Sequence, residues 1–578
     1  MEIELRTATS AHLSAVGAAV QKLQVASGKE QTAIFRFHVN DHLGSGEISF
    51  TATTGGAQVH RRATLSIRPP VPYLTDVRSG SFTGTTTEVS IDRALRPDFR
   101  QLEASISALP LGLAHGLDVY LKNFPHGCSE QITSAAFCRL LLADEVDFGL
   151  KRAEVNAQLE KTFTTLRRRQ NDQGGFGYWA PENGARISFV SVYVMDFLSQ
   201  AKAAGFPPPS EMFTTGLRNL QAIAGREPST LSDARTVAYA IYVLTREGVV
   251  TTNYILNLRD YLDKHRAQDW PKDLTGVYLA GALKLLHQDE EAERLIAKYR
   301  LGELRNFDWN DFCQPLGADS QYIAILARHF PARLRQISGK EFEKISRPIG
   351  EGNFNTLSAA YAVAALKAYS QVVANNPPEL TIAELNETKA ETRLKSGTRM
   401  LQRTDFSAQA KALRFHASRA ISGPGAFFQV IEAGFDKAVA TQVLAEGLEV
   451  YRELLDKNSQ PVAQTHLGNS VHVRLHVRSV KENALTNVAI IDLLPGGFEV
   501  VDSSLRPGVS SIHGIDYVDV REDRAVFFGT ASRATLQIDY DIKSCNRGEF
   551  IVPPVFAQSM YDRGVKGRGV GGKILVTE

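Results

Sequence analysis

Residues Phe124, Pro125, His126, Gly127, Cys128, Ser129, Glu130 and Gln131 lead into an apolar run, Ile132 to Leu142, that reads as a buried helix. They put a cysteine three positions ahead of a glutamine. Residues three apart share one face of a helical turn, so the Cys128 thiol can reach the side-chain carbonyl of Gln131. Attack of the thiolate on that amide, with ammonia leaving, closes an internal thioester and turns Gln131 into an activated acyl group. Such groups pass to nucleophiles. Gly127, without a Cβ, permits a tight turn just before the nucleophile, and Pro125 fixes φ where the chain enters the helix. The bland alternative is a buried structural cysteine.

The helical character extends over a long block. From Gly112 to about Val373 apolar residues recur every three or four positions. Segments of helix length include Ser188 to Ala203, Ser232 to Arg246, Leu274 to Leu286, Ser320 to Arg328 and Ser358 to Ser370. Small residues sit within the stripes, as at Ala238 and Ala240, Ala280 and Ala282, and Ala359 and Ala360. Small side chains let helices approach closely, and paired helices separated by Gly and Pro predict a helical repeat array or a closed α/α toroid. Asn375, Asn376, Pro377 and Pro378 end the block. A loop of Gln173, Gly174, Gly175, Phe176, Gly177, Tyr178 and Trp179 interrupts it, its aromatics either packing over the end of the block or walling the reactive site.

Outside the block the period is two. Ala33 to Asn40 alternates, and Glu47 to Thr53 and Arg62 to Ile67 follow, with turns at Gly44 to Gly46 and at Gly55 and Gly56. This reads as a small β-sandwich ended by Pro69, Pro70 and Pro72, a stiff connector. Short strands from Tyr73 to about Ile91, with Gly80 and Gly84 in turns, are too few for a domain. So are those at Leu380 to Glu384, around Leu394 and at Ala426 to Ala433. The two pieces are expected to complete each other. Leu448 to Glu578 forms a third β region, in which Val471, Val473, Leu475 and Val477 alternate with His472, Arg474, His476 and Arg478.

A chain of 578 residues has room for about four domains. Its 43% hydrophobic and 22% charged content is that of an ordinary globular protein. Lys and Arg total 65 against 63 acidic residues, a net charge of +2 with no basic excess to suggest nucleic acid. Cys128, Cys138, Cys313 and Cys545 are too few for a disulfide scaffold and do not fix the redox compartment. Met1 to Thr7 lacks the apolar core of an export signal, and no run of 18 apolar residues predicts a membrane span.

The frame Pro125, x, Gly127, Cys128, x, Glu130, Gln131 resembles the thioester motif of the alpha-2-macroglobulin and complement superfamily, in particular the bacterial alpha-2-macroglobulins. Pro553 to Tyr561 resembles the terminal domain of the same proteins, so the resemblance covers essentially the whole chain. It implies a multidomain α and β architecture. Residues 1–68 would be a macroglobulin-like β-sandwich and 69–108 the first part of a CUB-like domain. Residues 109–377 would be a thioester domain with an α/α toroid fold, inserted in that domain, whose second part is 378–434. A C-terminal macroglobulin-like β-sandwich would occupy 435–578. The resemblance further implies that Cys128 and Gln131 are cross-linked, that Glu130 is the acid carried by the motif, and that Ser129 fills its open position. Phe124, His126, Tyr178, Trp179 and Tyr561, with Phe556 and Met560, are the expected shield against water, which would hydrolyse an exposed thioester.

The activity implied is protease inhibition by single-use acyl transfer, not enzymatic turnover. A protease cuts a bait segment, the protein rearranges, and the thioester reaches a lysine amine of the protease. No cofactor or metal and no nucleic acid is implied. No bait segment is recognisable here, so the chain reads as a fragment or processed form. The resemblance also implies a periplasmic location, an inner-membrane lipoprotein as the full-length form, and a peptidoglycan-synthesis protein as partner. Three rival readings are a thioester-bearing adhesin, a cysteine hydrolase using Cys128 with a distant histidine, and a toroid enzyme of terpenoid-cyclase type. The last needs clustered aspartates, and no two consecutive aspartates occur. His126, His265 and His287 are equal candidates for assisting acyl transfer. His472 and His476 lie on the polar face of a strand and read as solvated rather than metal-binding. Gly567 to Lys573 mimics a phosphate loop, but Ile574 stands where Ser or Thr would hold magnesium.

Overall fold

Six helices make the centre of the helical block: Ser129–Leu142, Phe189–Ala203, Leu231–Arg246, Leu274–Leu285, Pro315–His329 and Thr356–Ser370. Each packs on the next, and the last packs back on the first, closing a ring. The computed structural model describes residues 1–578 apart from 183–187, 304–311, 374–377, 398, 422–424, 482–483 and 506–511. The ring helices are buried on almost every side, so they read as broadly apolar with small residues, not as narrow stripes. Ala238, Ala240, Ala280, Ala282, Ala359 and Ala360 are all fully buried where neighbouring helices meet. The outer helices Arg152–Arg169, Ser210–Ala224, Thr252–His265, Asp289–Ile296 and Gly339–Gly350 each pack on a ring helix. They bury one face only; in the first of them that face is Val155, Leu159, Phe163 and Leu166. The expected end of the block at Asn375, Asn376 and Pro377 lies outside the described residues; the last ring helix ends at Ser370.

Strands from before and after this block pair with one another. One antiparallel sheet runs Leu401–Asp405, Gln101–Ser107, Ala426–Phe435, Tyr73–Phe82. The other runs Glu391–Arg393, Leu380–Leu385, Ala412–Ala417, Thr86–Ser90. Ala104, Ile106, Ile382, Leu413, Phe415 and Val430 form the core between them. Gly80 is not in a turn. It lies inside the strand Tyr73–Phe82 beneath the Phe428 ring, where a Cβ would come within 2.6 Å of that ring.

The N-terminal sandwich has the sheet order Val20–Gln24, Glu2–Thr9, Gly44–Thr54, Ala57–Ile67, faced by the pair Leu13–Val16 and Arg36–Val39. The strand expected at Ala33 to Asn40 is therefore shorter than its alternation suggests. Gly55 and Gly56, with φ of 48° and 88°, form the two-residue hairpin turn, which requires left-handed backbone at both positions.

The last region packs the sheet of Leu448–Leu455, Ser470–Ser479, Leu536–Ser544 and Phe498–Val500 against a six-stranded sheet centred on Ala484–Leu493 and Arg524–Ser532. Val471, Val473, Leu475 and Val477 point into its core, as their alternation predicts. On the other face His472 meets Asp539 and Asp541, and His476 meets Glu453. These are carboxylate pairs across strands, and no group of potential metal ligands occurs among the described residues. Gly567 to Lys573 spans the ends of two strands with no helix following, so no phosphate loop forms.

Candidate reactive site at the end of the ring

Cys128 is the N-cap of the first ring helix, with extended backbone, and it is fully buried. Its side chain faces the backbone N–H of Gln131, while the Gln131 Oε1 accepts from the Cys128 N–H at 3.0 Å. This reciprocal cap is the arrangement usually made by Ser or Thr with Glu or Gln. Here it crosses the thiol over the amide of Gln131, which is only 3% exposed. The backbone donor on Gln131 Oε1 also polarises the carbonyl that a thiolate would attack, at the distance of an oxyanion-stabilising contact.

The preceding turn is held by a second layer of polar contacts. Arg169 donates through Nη1 to the carbonyls of Gly127 at 2.9 Å and Tyr178 at 3.1 Å. Ser129 donates its backbone N–H to Tyr178 at 2.8 Å and its hydroxyl to the Gly177 carbonyl at 2.6 Å. The glycine-rich loop is thus bonded to the motif itself. Gly177 has no room for a side chain, since a Cβ would lie 1.9 Å from the Ala180 carbonyl oxygen.

Glu130 points into the ring and is fully buried. Ser134 donates to its Oε1 at 2.6 Å, Thr356 to Oε2 at 2.9 Å, and Tyr561 to Oε2 at 2.9 Å. Burial pushes the carboxyl above its ordinary range, and the three hydroxyls work against that shift. Burial first, and then the charge of Glu130, push the Cys128 thiol up to about 12. A thiol held neutral in this way is a poor nucleophile until a base removes its proton.

The terminal sandwich covers this end of the ring. The Tyr561 hydroxyl stands 4.0 Å from the Cys128 sulfur, and the Met560 sulfur 3.3 Å from Gln131 Nε2. Asn355 and Gln314 both donate to the Tyr561 carbonyl, at 3.1 and 3.3 Å. Of the other expected shield residues, Trp179 packs on the six-stranded sheet, its ring 4.7 Å from that of Tyr517 and 4.2 Å from that of Phe528. Tyr178 packs on Phe312, which meets Tyr561 edge-on at 5.3 Å. Phe124 packs on His126, and His126 packs edge-on against Phe528. Gln558 donates to His126 Nε2 at 3.1 Å, which fixes that nitrogen as the acceptor of a neutral ring. Burial, helped by Arg521 and Arg524, pushes the imidazole down to about 3. Phe556 borders the same apolar patch.

Tyr561 and Met560 therefore touch the reactive pair, while Phe124, His126, Tyr178 and Trp179 form the rim. Among the described residues neither His265 nor His287 bonds to the motif; His265 packs on Tyr261 and His287 has left-handed backbone. Sequence reasoning missed Ser134, Thr356, Arg169 and Phe312. Ser134 had a signal, since it lies four residues after Glu130 on one helical face. Thr356, 226 residues away, had none. A cavity of about 480 Å³ lined by Asp233, Arg235, Tyr239, Tyr278 and Phe312 lies beside the site, and neither Cys128 nor Gln131 lines it.

Residues 447–563 match the family described as the bacterial alpha-2-macroglobulin MG10 domain. Alpha-2-macroglobulin of Rickettsia conorii is 33% identical over an alignment that covers 96% of this chain and 30% of the relative. The chain thus spans about 30% of the length of that curated relative. A crystal structure of native Escherichia coli alpha-2-macroglobulin, running from domain MG7 to the C-terminus, superposes with a TM-score of 0.80 at 21% identity, covering 100% of this chain and 94% of that one. A Salmonella alpha-2-macroglobulin reacted with methylamine superposes at 0.78 with 19% identity, covering 100% of this chain and 39% of that one.

Proposed function

We propose that this chain, a member of the bacterial alpha-2-macroglobulin family, carries an internal thioester between Cys128 and Gln131 and uses it to capture attacking proteases covalently. The observation that carries the reading is the crossed cap of Cys128 and Gln131, buried beneath Tyr561 and Met560. A hydrolase would need its cysteine open to substrate and paired with a base such as histidine. This cysteine is closed off, and the histidine nearest to it in sequence, His126, is bonded to Gln558 instead. A group that is made once, stored dry and exposed once fits the burial better.

In this reading the ring, residues 109–377, is the thioester domain. The mixed β domain of 69–108 and 378–434 is the CUB-like domain around it, and 1–68 and 435–578 are macroglobulin-like sandwiches. Cleavage of a bait segment elsewhere in the protein withdraws the terminal sandwich from the ring, and a protease lysine then attacks the Gln131 acyl group and releases the Cys128 thiol. The chemistry is spent in one event, which makes the protein an inhibitor and not an enzyme. Periplasmic residence, with a lipid anchor on the full-length form and a peptidoglycan-synthesis partner, belongs to the same reading.

The Salmonella relative is described as reacted with methylamine, and the same small amine tests this chain. Methylamine should add to Gln131 and release one titratable thiol at Cys128 for each amine incorporated. Absence of incorporation, with Cys128 titrating fully before amine is added, would contradict the proposal.

A further inference from the structure

We propose that Glu130 and Tyr561 form the proton relay that makes the Cys128–Gln131 bond, with Glu130 as the base and the Tyr561 hydroxyl as the bridge to the thiol. The inference rests on the thioester reading above and concerns how that bond arises.

Glu130 is a fully buried carboxyl whose polar contacts are the hydroxyls of Ser134, Thr356 and Tyr561, and among the described residues no Lys, Arg or His pairs with it. Burying a carboxylate without a counter-charge is costly. If its only task were to tie three hydroxyls together, a glutamine would do so without that cost. Perturbed carboxyls of this kind are where acid and base chemistry is found.

The position of Tyr561 supplies the task. Its hydroxyl donates to Glu130 Oε2 at 2.9 Å and lies 4.0 Å from the Cys128 sulfur, so one oxygen touches both ends of the transfer. The thiol needs such help, because burial and the neighbouring Glu130 hold it protonated up to about pH 12. The other titratable groups facing Glu130 are the phenols of Tyr120, Tyr178 and Tyr193, all pushed up by burial and therefore neutral. Glu130 is the one carboxyl of this set, and burial raises its affinity for a proton.

The step balances. Tyr561 passes its proton to Glu130 Oε2 as it takes the proton of the Cys128 thiol. The sulfur bonds to the Gln131 carbonyl carbon, whose oxygen is already held by the Cys128 N–H. The C–N bond then breaks, and Glu130 returns its proton through Tyr561 to the departing nitrogen, which leaves as ammonia. That nitrogen sits beside Met560, on the same wall as Tyr561. Glu130 ends as the carboxylate it began as, and no other reactant is consumed.

The test follows bond formation in the full chain during cell-free synthesis, by intact mass and by titration of Cys128. Glu130→Gln keeps the acceptor for the hydroxyls but cannot take a proton. Tyr561→Phe keeps the ring that covers the site and removes only the bridge. Both should slow the loss of ammonia by about a hundredfold, the scale of a lost general base. Glu130→Asp should recover part of the rate. The wild-type rate should fall in acid as Glu130 protonates, whereas Glu130→Gln should lose that acid limb, a change that a purely structural role would not produce. Should Glu130→Gln fail to fold, Tyr561→Phe decides alone. Wild-type formation accompanied by equally fast formation in Tyr561→Phe, or in a folded Glu130→Gln, overturns the relay and leaves the thioester reading standing. A wild-type chain that never loses ammonia overturns the thioester reading itself.

Discussion

The ring meets β structure on two sides, and the two seams are built differently. Against the mixed β domain, Val77, Leu401, Phe427, Ile431 and Ala433 belong to the same continuous apolar core as the ring helices. Gln429 reaches into the helical block, accepting from the Gly116 N–H at 2.9 Å and donating to the Leu113 carbonyl at 2.8 Å. Against the terminal sandwich the contact is a small separate cluster, with Ile491, Val526, Phe528, Met560 and Tyr561 meeting Trp179 and Phe312. The first seam cannot part without opening the core that these strands share with the ring. The second can part and leave each core whole. On the proposed reading, a stored reactive group needs a rigid base and a removable cover, and these two seams would divide the tasks between them.

Three perturbations test that division, and the largest effect belongs at the first seam. Gly116→Val places a side chain where even a Cβ would come within 2.5 Å of Val77 Cγ1 and 2.6 Å of Gln429 Nε2. Overpacking of this kind costs about 3 kcal/mol, and thermal unfolding should show the ring and the mixed β domain losing stability together. If only one of them melts earlier, the seam is not a shared core.

At the second seam, Trp179→Ala removes the ring that packs on both Tyr517 and Phe528. The expected cost is about 2 kcal/mol, that of a packed interface anchor. It should appear as faster decay of amine reactivity on storage, with the melting of the ring unchanged. A ring that melts early in this variant would place Trp179 in the core instead.

The smallest effect is that of pH on the same seam. His126 is buried neutral there, its folded value lowered from 6.5 to about 3. A base depressed on folding contributes stability that is complete above 6.5 and lost as the pH falls toward 3. One pH unit below the ordinary histidine value therefore costs the closed seam about 1.4 kcal/mol. Protein held at mild acid and returned to neutral pH before methylamine is added should have lost reactivity faster than protein kept neutral. His126→Phe should abolish that difference, and equal decay in the wild type at both pH values would remove His126 from the seam.

The contrast between the seams also explains what the sequence revealed. The ring helices were legible because burial on all sides leaves alanine and other small residues at their contacts, as at Ala238 and Ala359. The pairing across the ring was legible from strand number, since neither β piece could make a sheet alone. Gly80 was misread because glycine signals a turn locally, whereas here it makes room for Phe428 from a strand almost 350 residues later. The strands Gln101–Ser107, Leu401–Asp405 and Ala412–Ala417 were passed over because they are short and take their partners from distant sequence. At the site, the spacing of Cys128 and Gln131 is local and could be read directly. The hydroxyls around Glu130 come from three separate parts of the chain, and only Ser134 shares its helix.

Whether Cys128 and Gln131 are joined is read from the intact mass of the freshly folded full chain. A joined pair makes the chain lighter than its sequence by one ammonia and leaves no thiol titrating at Cys128. A chain of unmodified mass whose Cys128 reacts as a free thiol once the protein is denatured would contradict the proposed bond.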